Sequence, residues 1–219
     1  ACLVLFVARQ KRIEHPLISM RIFESSHFRI SFIAQNCLFA SFMGITLIVP
    51  LYVQGLCGGS AVEAGIVFIP ATILAVVVNP LAGILSDKVG ARPVVIVAAA
   101  LLTVGAVSMT FMDENTPLWM TTLMQTVRGM GVSALIGPLN SWGMSGLPRE
   151  IMIDASAFFA AVRQACASLG TAIMVLVITS LSATAQSGAI DMSFAYQAAF
   201  GISAVLAACV LVVVIAKVR

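Results

Sequence analysis

Of the 219 residues, 60% are hydrophobic and only 10% charged, with a mean hydropathy of +1.06 and a formal net charge of +3. A soluble chain carries about 25% charged residues, so this composition excludes an ordinary water-soluble domain and points to an integral membrane protein. The basic residues are spread over short polar connections and form no patch, which excludes nucleic acid as a partner and leaves the lipid bilayer.

In chain order, residues 1–8 form an apolar run that starts in mid-stretch. As a helix they reach only ~12 Å, too little to cross a bilayer. They carry neither a basic n-region nor a small-residue cleavage site. The run reads as the tail of an upstream transmembrane helix, so the chain is expected to be a fragment. Residues 9–29 are the one sizeable polar stretch. There, charges mix with Leu17, Ile18, Met20, Ile22 and Phe23, which suits a segment lying on the inner membrane surface. His15 and His27 fall in it without a paired ligand at useful spacing.

Apolar stretches then follow at Ile30–Val53, Val62–Leu85, Pro93–Met112, Leu118–Gly143, Ile153–Leu181 and Phe194–Ala216. Each can cross a hydrocarbon core of ~30 Å at ~1.5 Å per residue. Backbone groups in lipid must be bonded internally, so these stretches are helices. Short connections make successive helices antiparallel neighbours. The expected fold is all-α: a six-helix transmembrane bundle over residues 30–217.

If the segment before Ile30 is cytoplasmic, Arg9, Lys11, Arg12, Arg21, Arg29, Lys88, Arg92, Arg149, Lys217 and Arg219 all face the cytoplasm. The outer loops then hold only Glu63, Asp113, Glu114 and Asp191, as the positive-inside rule requires. Connections 86–92 and 147–152 are cytoplasmic on this reading. The protein is placed as multi-pass in the cell (inner or plasma) membrane.

The third and sixth stretches are the plainest, and composition makes them lipid-facing. The others carry Gln35, Asn36, Gly44 and Pro50; Pro70, Thr72, Asn79 and Pro80; Gln125, Arg128, Pro138 and Asn140; Arg163 and Gln164. This period of three suggests two inverted triplets. The cysteines Cys2, Cys37, Cys57, Cys166 and Cys209 have no CxxC spacing and read as buried apolar thiols, not as a disulfide or metal framework.

Arg128 and Arg163 each sit mid-way along an apolar stretch. An arginine at a helix centre costs roughly 2.5–3.5 kcal/mol on insertion scales, so each must face protein or water. Two readings stand. Either the guanidiniums line a polar cavity, or they are structural cations bonded to backbone carbonyls or amides. Gly129 and Gly131 beside Arg128 allow close helix approach. Gly137-Pro138 interrupts the bonding beyond it and suggests a bend. Apart from Arg163, a stripe of mostly small residues at spacing four, Ser156, Ala160, Gln164, Ser168 and Ala172, reads as a packing seam. No carboxylate lies inside any stretch, Asp154 coming nearest. Arginine does not titrate usefully, so an acid for proton coupling must come from elsewhere. No Walker loop, HExxH or GxSxG run is present, which leaves enzymatic readings without a foothold.

The run Gly83 to Arg92 (GILSDKVGAR) places Asp87 just past an expected helix C-terminus, where the helix dipole disfavours it. It is better suited to cap the next helix or pair with a cation, while Gly90 permits a tight reversal. This decapeptide resembles the signature cytoplasmic loop of the major facilitator superfamily, with Ala91 replacing one usual basic residue. Pro16-Leu17-Ile18, the run Pro50 to Gln54, Ala64-Gly65 with Pro70, Arg128 to Gly131, and Arg163-Gln164 followed by Gly170 resemble the fourteen-helix drug:proton antiporter branch. The resemblance implies the C-terminal half of a transporter with a 3+3 inverted repeat, whose partner is the missing N-terminal half. It implies alternating access, no cofactor, and energy from a proton gradient. Gly83, Asp87, Lys88, Gly90 and Arg92 would form a conformational latch. Gln35, Asn36, Phe39, Met124 and Gln125 would contact a small lipophilic, often cationic substrate, with Phe32 and Phe42 beside them. Arg128 would line or brace the cavity, and Arg163, Gln164 and Gly170 would pack against the other half. A carrier of an organic anion or sugar is the alternative on the same fold. A non-transporting membrane scaffold is the alternative of another class.

Overall fold

The computed structural model describes residues 22, 23, 25–186 and 191–218; the expected helix tail 1–8 and nearly all of the surface segment before residue 25 lie outside them. The elements are α1 (Ser26–Gly55), α2 (Ala61–Ile66), α3 (Ile69–Val89), α4 (Ala91–Met109), α5 (Leu118–Ser145), α6 (Arg149–Gln186) and α7 (Met192–Lys217). Among the described residues there is no strand.

Five helical segments are long and apolar enough to cross a membrane: Ser26–Gly55, Ala61–Val89, Ala91–Met109, Ile151–Ala185 and Met192–Lys217. With 28 residues α5 is also long enough, at ~42 Å, but Gln125, Arg128 and Asn140 make it more polar.

Local chemistry sets the helix ends. A capping box starts α2: Glu63 N–H donates to Ser60 Oγ at 3.2 Å, and Ser60 N–H donates to Glu63 Oε2 at 2.7 Å. The single helix expected over Val62–Leu85 is divided at Val67–Phe68. Pro70 has no N–H to bond back to Ile66, so a new helix starts with proline in its first turn. By contrast Pro50, Pro80 and Pro138 lie inside continuous helices, and the interruption expected at Gly137-Pro138 does not end α5. Packed neighbours hold a transmembrane helix together across the one bond that proline removes.

The connection expected at Ser86–Arg92 is mostly helix. α3 continues to Val89, α4 begins at Ala91, and Gly90 alone turns the chain, at φ 94°. Only glycine takes that conformation without strain. Asp87 therefore belongs to the last turn of α3. It caps nothing, since α4 has no side-chain cap, and it makes no ion pair among the described residues.

Helix contacts follow a symmetric plan. α5 packs on α3 and α4, α1 packs on α6 and α7, and the two groups meet through α4 against α7 and α1 against α5. Exchanging α1 with α5, α3 with α6 and α4 with α7 maps these contacts onto themselves. That is the pattern of an inverted repeat in which each triplet lends its first helix to the other. One apolar cluster centres on Leu38, Leu102, Leu135 and Leu139, and another on Ile48, Tyr52, Met109 and Phe200. At one end Phe23, Phe28, Phe32, Phe158 and Phe159 interlock with ring centroids 5.6–5.8 Å apart.

The plain helices are not simply lipid-facing. The apolar windows of α4 and α7 are 44% and 39% buried, against 17% for Ala61–Val89 and 22% for Ile151–Ala185. Val97, Val104 and Phe111, or Val205, Val212 and Ile215, form an outer stripe, while Ala98, Ala99 and Gly105, or Ala199, Ser203 and Ala207, are enclosed. Lipid tails are as apolar as leucine, so small residues, not overall hydropathy, decide which helix is surrounded. The thiols also differ from expectation. Cys57 and Cys209 are exposed, and Cys37 and Cys166 half-buried.

Candidate functional site

Arg128 lies on α5 where three helices converge. On one side α4 comes very close: a Cβ at Gly105 would stand 2.6 Å from the Arg128 backbone N, and one at Gly131 would meet the backbone of Leu102 and, at 2.8 Å, the Ala98 carbonyl. Gly129 faces α3 instead, where a Cβ would lie 2.9 Å from that of Ala71. The two glycines that follow the charge therefore admit two different neighbours. Across the third side is α1. There the Arg128 Nη2 donates to the Ser41 carbonyl at 3.2 Å, and the guanidinium carbon is 5.9 Å from the centre of the Phe42 ring.

Arg128 is fully enclosed, at 0% exposure. Its Nε and Nη1 have no hydrogen-bond partner. Polar side-chain atoms both unpartnered and wholly sealed from solvent occur otherwise, among the described residues, only on Gln35 (Oε1 and Nε2), Asn36 (Oδ1) and Gln125 (Oε1). Asn36 spends its amide on its own helix, donating to the Phe32 carbonyl at 2.7 Å. Each such atom is costly in a low-dielectric interior. A polar seam thus runs through α1 and α5, the two helices exchanged between the triplets.

Arg163 on α6 is only half-buried and its guanidinium carbon sits 4.4 Å from the Phe39 ring centre. Phe39 and Phe42 meet edge to face at 6.2 Å. The two arginines consequently do not face one hollow. They end a ladder, Arg163–Phe39–Phe42–Arg128, that ties α6 to α5 across one turn of α1. A double-mutant cycle with Arg163→Gln and Phe39→Leu should give a coupling of about 0.5–2 kcal/mol for a partly desolvated cation–π pair, read from unfolding in detergent.

The other expected site residues are dispersed. Met124 is half-buried against the second apolar cluster. Gln164 is exposed. Gly170 corrects its expected role: a Cβ there would lie 2.5 Å from the Ala40 carbonyl, so it seats α6 on α1 within this unit and does not face another half. Asp87, Lys88, Gly90 and Arg92 are exposed and Gly83 half-exposed, all at the far end of α3 and the start of α4, away from Arg128. Sequence reasoning missed Ser41 and Ser203. Their hydroxyls lie 2.6 Å apart, and Ser41 also reaches the Ser203 carbonyl at 3.3 Å, fixing α1 to α7 at the residue whose carbonyl receives Arg128. Two serines in otherwise apolar runs were the available signal.

The sequence profile of the Major Facilitator Superfamily matches residues 5–171. The uncharacterized MFS-type transporter YcnB of Bacillus subtilis is 27% identical over 94% of this chain and 44% of its own length. Lincomycin resistance protein LmrB of Listeria monocytogenes is 26% identical over 80% of this chain and 37% of its own length. Riboflavin transporter RibZ of Clostridioides difficile is 27% identical over 77% of this chain and 37% of its own length. The chain thus spans less than half the length of these relatives. With the matched profile, the paired triplets and the loop run Gly83 to Arg92 in hand, the conclusion is that this multi-pass membrane chain belongs to the Major Facilitator Superfamily.

Proposed function

We propose that the chain supplies one half of a proton-driven exporter of lipophilic, often cationic compounds, working by alternating access in the plasma (inner) membrane with segment 86–92 cytoplasmic. The observation that carries this reading is a relative named for lincomycin resistance that matches the chain over 37% of its own length, about what one half would cover. The helix packing agrees. α3 and α6 bury least within the unit, leaving exposed apolar faces for the partner half. Enclosed as it is, Arg128 acts as a brace that holds α1 against α5, and does not itself touch substrate. Half-buried Phe39, Phe42 and Met124 supply apolar contact area of the kind a lipophilic substrate needs. The acid that couples protons comes from outside residues 1–219.

RibZ supports a second reading, transport of a polar metabolite. Cells expressing the protein from its whole reading frame should retain less ethidium than controls. A protonophore should abolish the difference and excess riboflavin should leave it intact. Riboflavin accumulation with unchanged ethidium retention would replace the first reading by the second.

A further inference from the structure

We infer that the opposite end of the bundle from Gly90 carries a separate binding site for a small alkylammonium ion. A cavity of about 200 Å³ opens there between the end of α1, the start of α2 and the 110–117 connection, with Tyr52, Val53, Glu63, Glu114, Leu118 and Thr121 in its wall.

Its walls are pinned. Tyr52 donates its hydroxyl to the Asp113 carbonyl, and Gly59 N–H donates to the Val53 carbonyl at 2.8 Å. Thr116 Oγ1 donates to Asp113 Oδ1 at 2.9 Å. The shape therefore does not depend on an occupant.

Its charge is uncompensated. Glu114 has no partner among the described residues, and Glu63 uses only Oε2, in the capping box. No Lys or Arg occurs at residues 30–87 or 93–127. Two carboxylates alone would be an ordinary solvated rim. Thr121 is the observation that makes it a site. At 1% exposure it lies on the cavity wall, yet its hydroxyl makes no hydrogen bond. Threonines in these helices normally bond back to a carbonyl one turn earlier, as Thr122 does to Leu118 at 2.8 Å and Thr126 to Thr122 at 2.6 Å. Thr121 keeps its oxygen for something else.

The donor set selects the ligand. Two carboxylates and a hydroxyl oxygen match the N–H groups of a protonated amine. Val53 and Leu118 offer an apolar wall for its alkyl part. The space equals several waters at ~30 Å³ each, far more than a bare metal ion needs. No three side chains of metal-ligating type are grouped closely enough for a metal among the described residues.

The test is calorimetric titration of n-butylammonium into the protein, expressed from its whole reading frame and held in lipid nanodiscs. No ion gradient is present, so binding and transport can fail independently. The double variant Glu63→Gln/Glu114→Gln keeps an acceptor for the capping box and should bind about tenfold more weakly. Thr121→Val removes a hydroxyl that stabilises nothing else and should bind about threefold more weakly, with unchanged melting. Parental affinity in either variant, or displacement of butylammonium by an equal concentration of Ca²⁺, overturns the proposal.

Discussion

An Arg128→Met variant is expected to unfold at the same temperature as the parent or higher, while transport by the full protein is lost. The sign follows from comparing two terms. The guanidinium has one hydrogen bond, to Ser41, for which a charged donor returns about 1.5–3 kcal/mol. Against it stands the transfer of a fully enclosed cation out of water, several kcal/mol even after relaxation, with Nε and Nη1 left unpartnered. A methionine of similar length fills the space and removes both terms. Such replacements of buried charges are typically neutral or stabilising by up to about 4 kcal/mol. Melting in detergent micelles checks the first half of the expectation and ethidium retention the second. A variant destabilised by several kcal/mol would show that the bond to Ser41 outweighs the cost of enclosing the charge. Arg128→Ala is the less informative change, because it also opens a cavity beside Gly105.

The larger loss of stability is expected at Gly131. Replacing it with leucine puts a Cβ into the backbone of Leu102, 2.7 Å from its Cα, and 2.8 Å from the Ala98 carbonyl. Backbone cannot swing aside as a side chain can, so α4 and α5 must separate along the crossing that carries the main apolar cluster. Overpacking in a tight core costs about 1–3 kcal/mol, and a clash with helix backbone should exceed that. Gly65→Leu is the control, because a Cβ there meets nothing within 4 Å. Equal expression and equal melting of the two variants would mean that the α4–α5 crossing is looser than described.

Some of this was readable along the chain. Apolar runs longer than a bilayer is thick have to be helical, and Arg128 declares itself by the cost of its position. Gln35, Asn36 and Gln125 stand out for the same reason, being amides in runs that are otherwise mostly apolar. What they do once folded was not readable. Phe39 and Phe42 looked like substrate aromatics, and nothing along the chain showed that each also carries an arginine from a different helix. Gly170 looked like a surface for another half, yet it seats α6 on Ala40. Asp87 looked like a cap beyond a helix end, but α3 runs past it and only Gly90 breaks the path.

By itself the sequence determined that this is a helical membrane chain, where its polar exceptions lie, and which loop ties it to its superfamily. Those follow from the solvent: hydrocarbon accepts no unbonded backbone and few charges, so length and polarity are enough. Tertiary structure alone decided which helices are surrounded, that α1 and α5 change places between the triplets, and that Arg128 is sealed inside the unit. The bilayer is as apolar as the protein interior, so hydropathy cannot tell a lipid-facing surface from a packed one. Glycine, alanine and serine contacts settle that, and they exist only once helices distant in sequence have met.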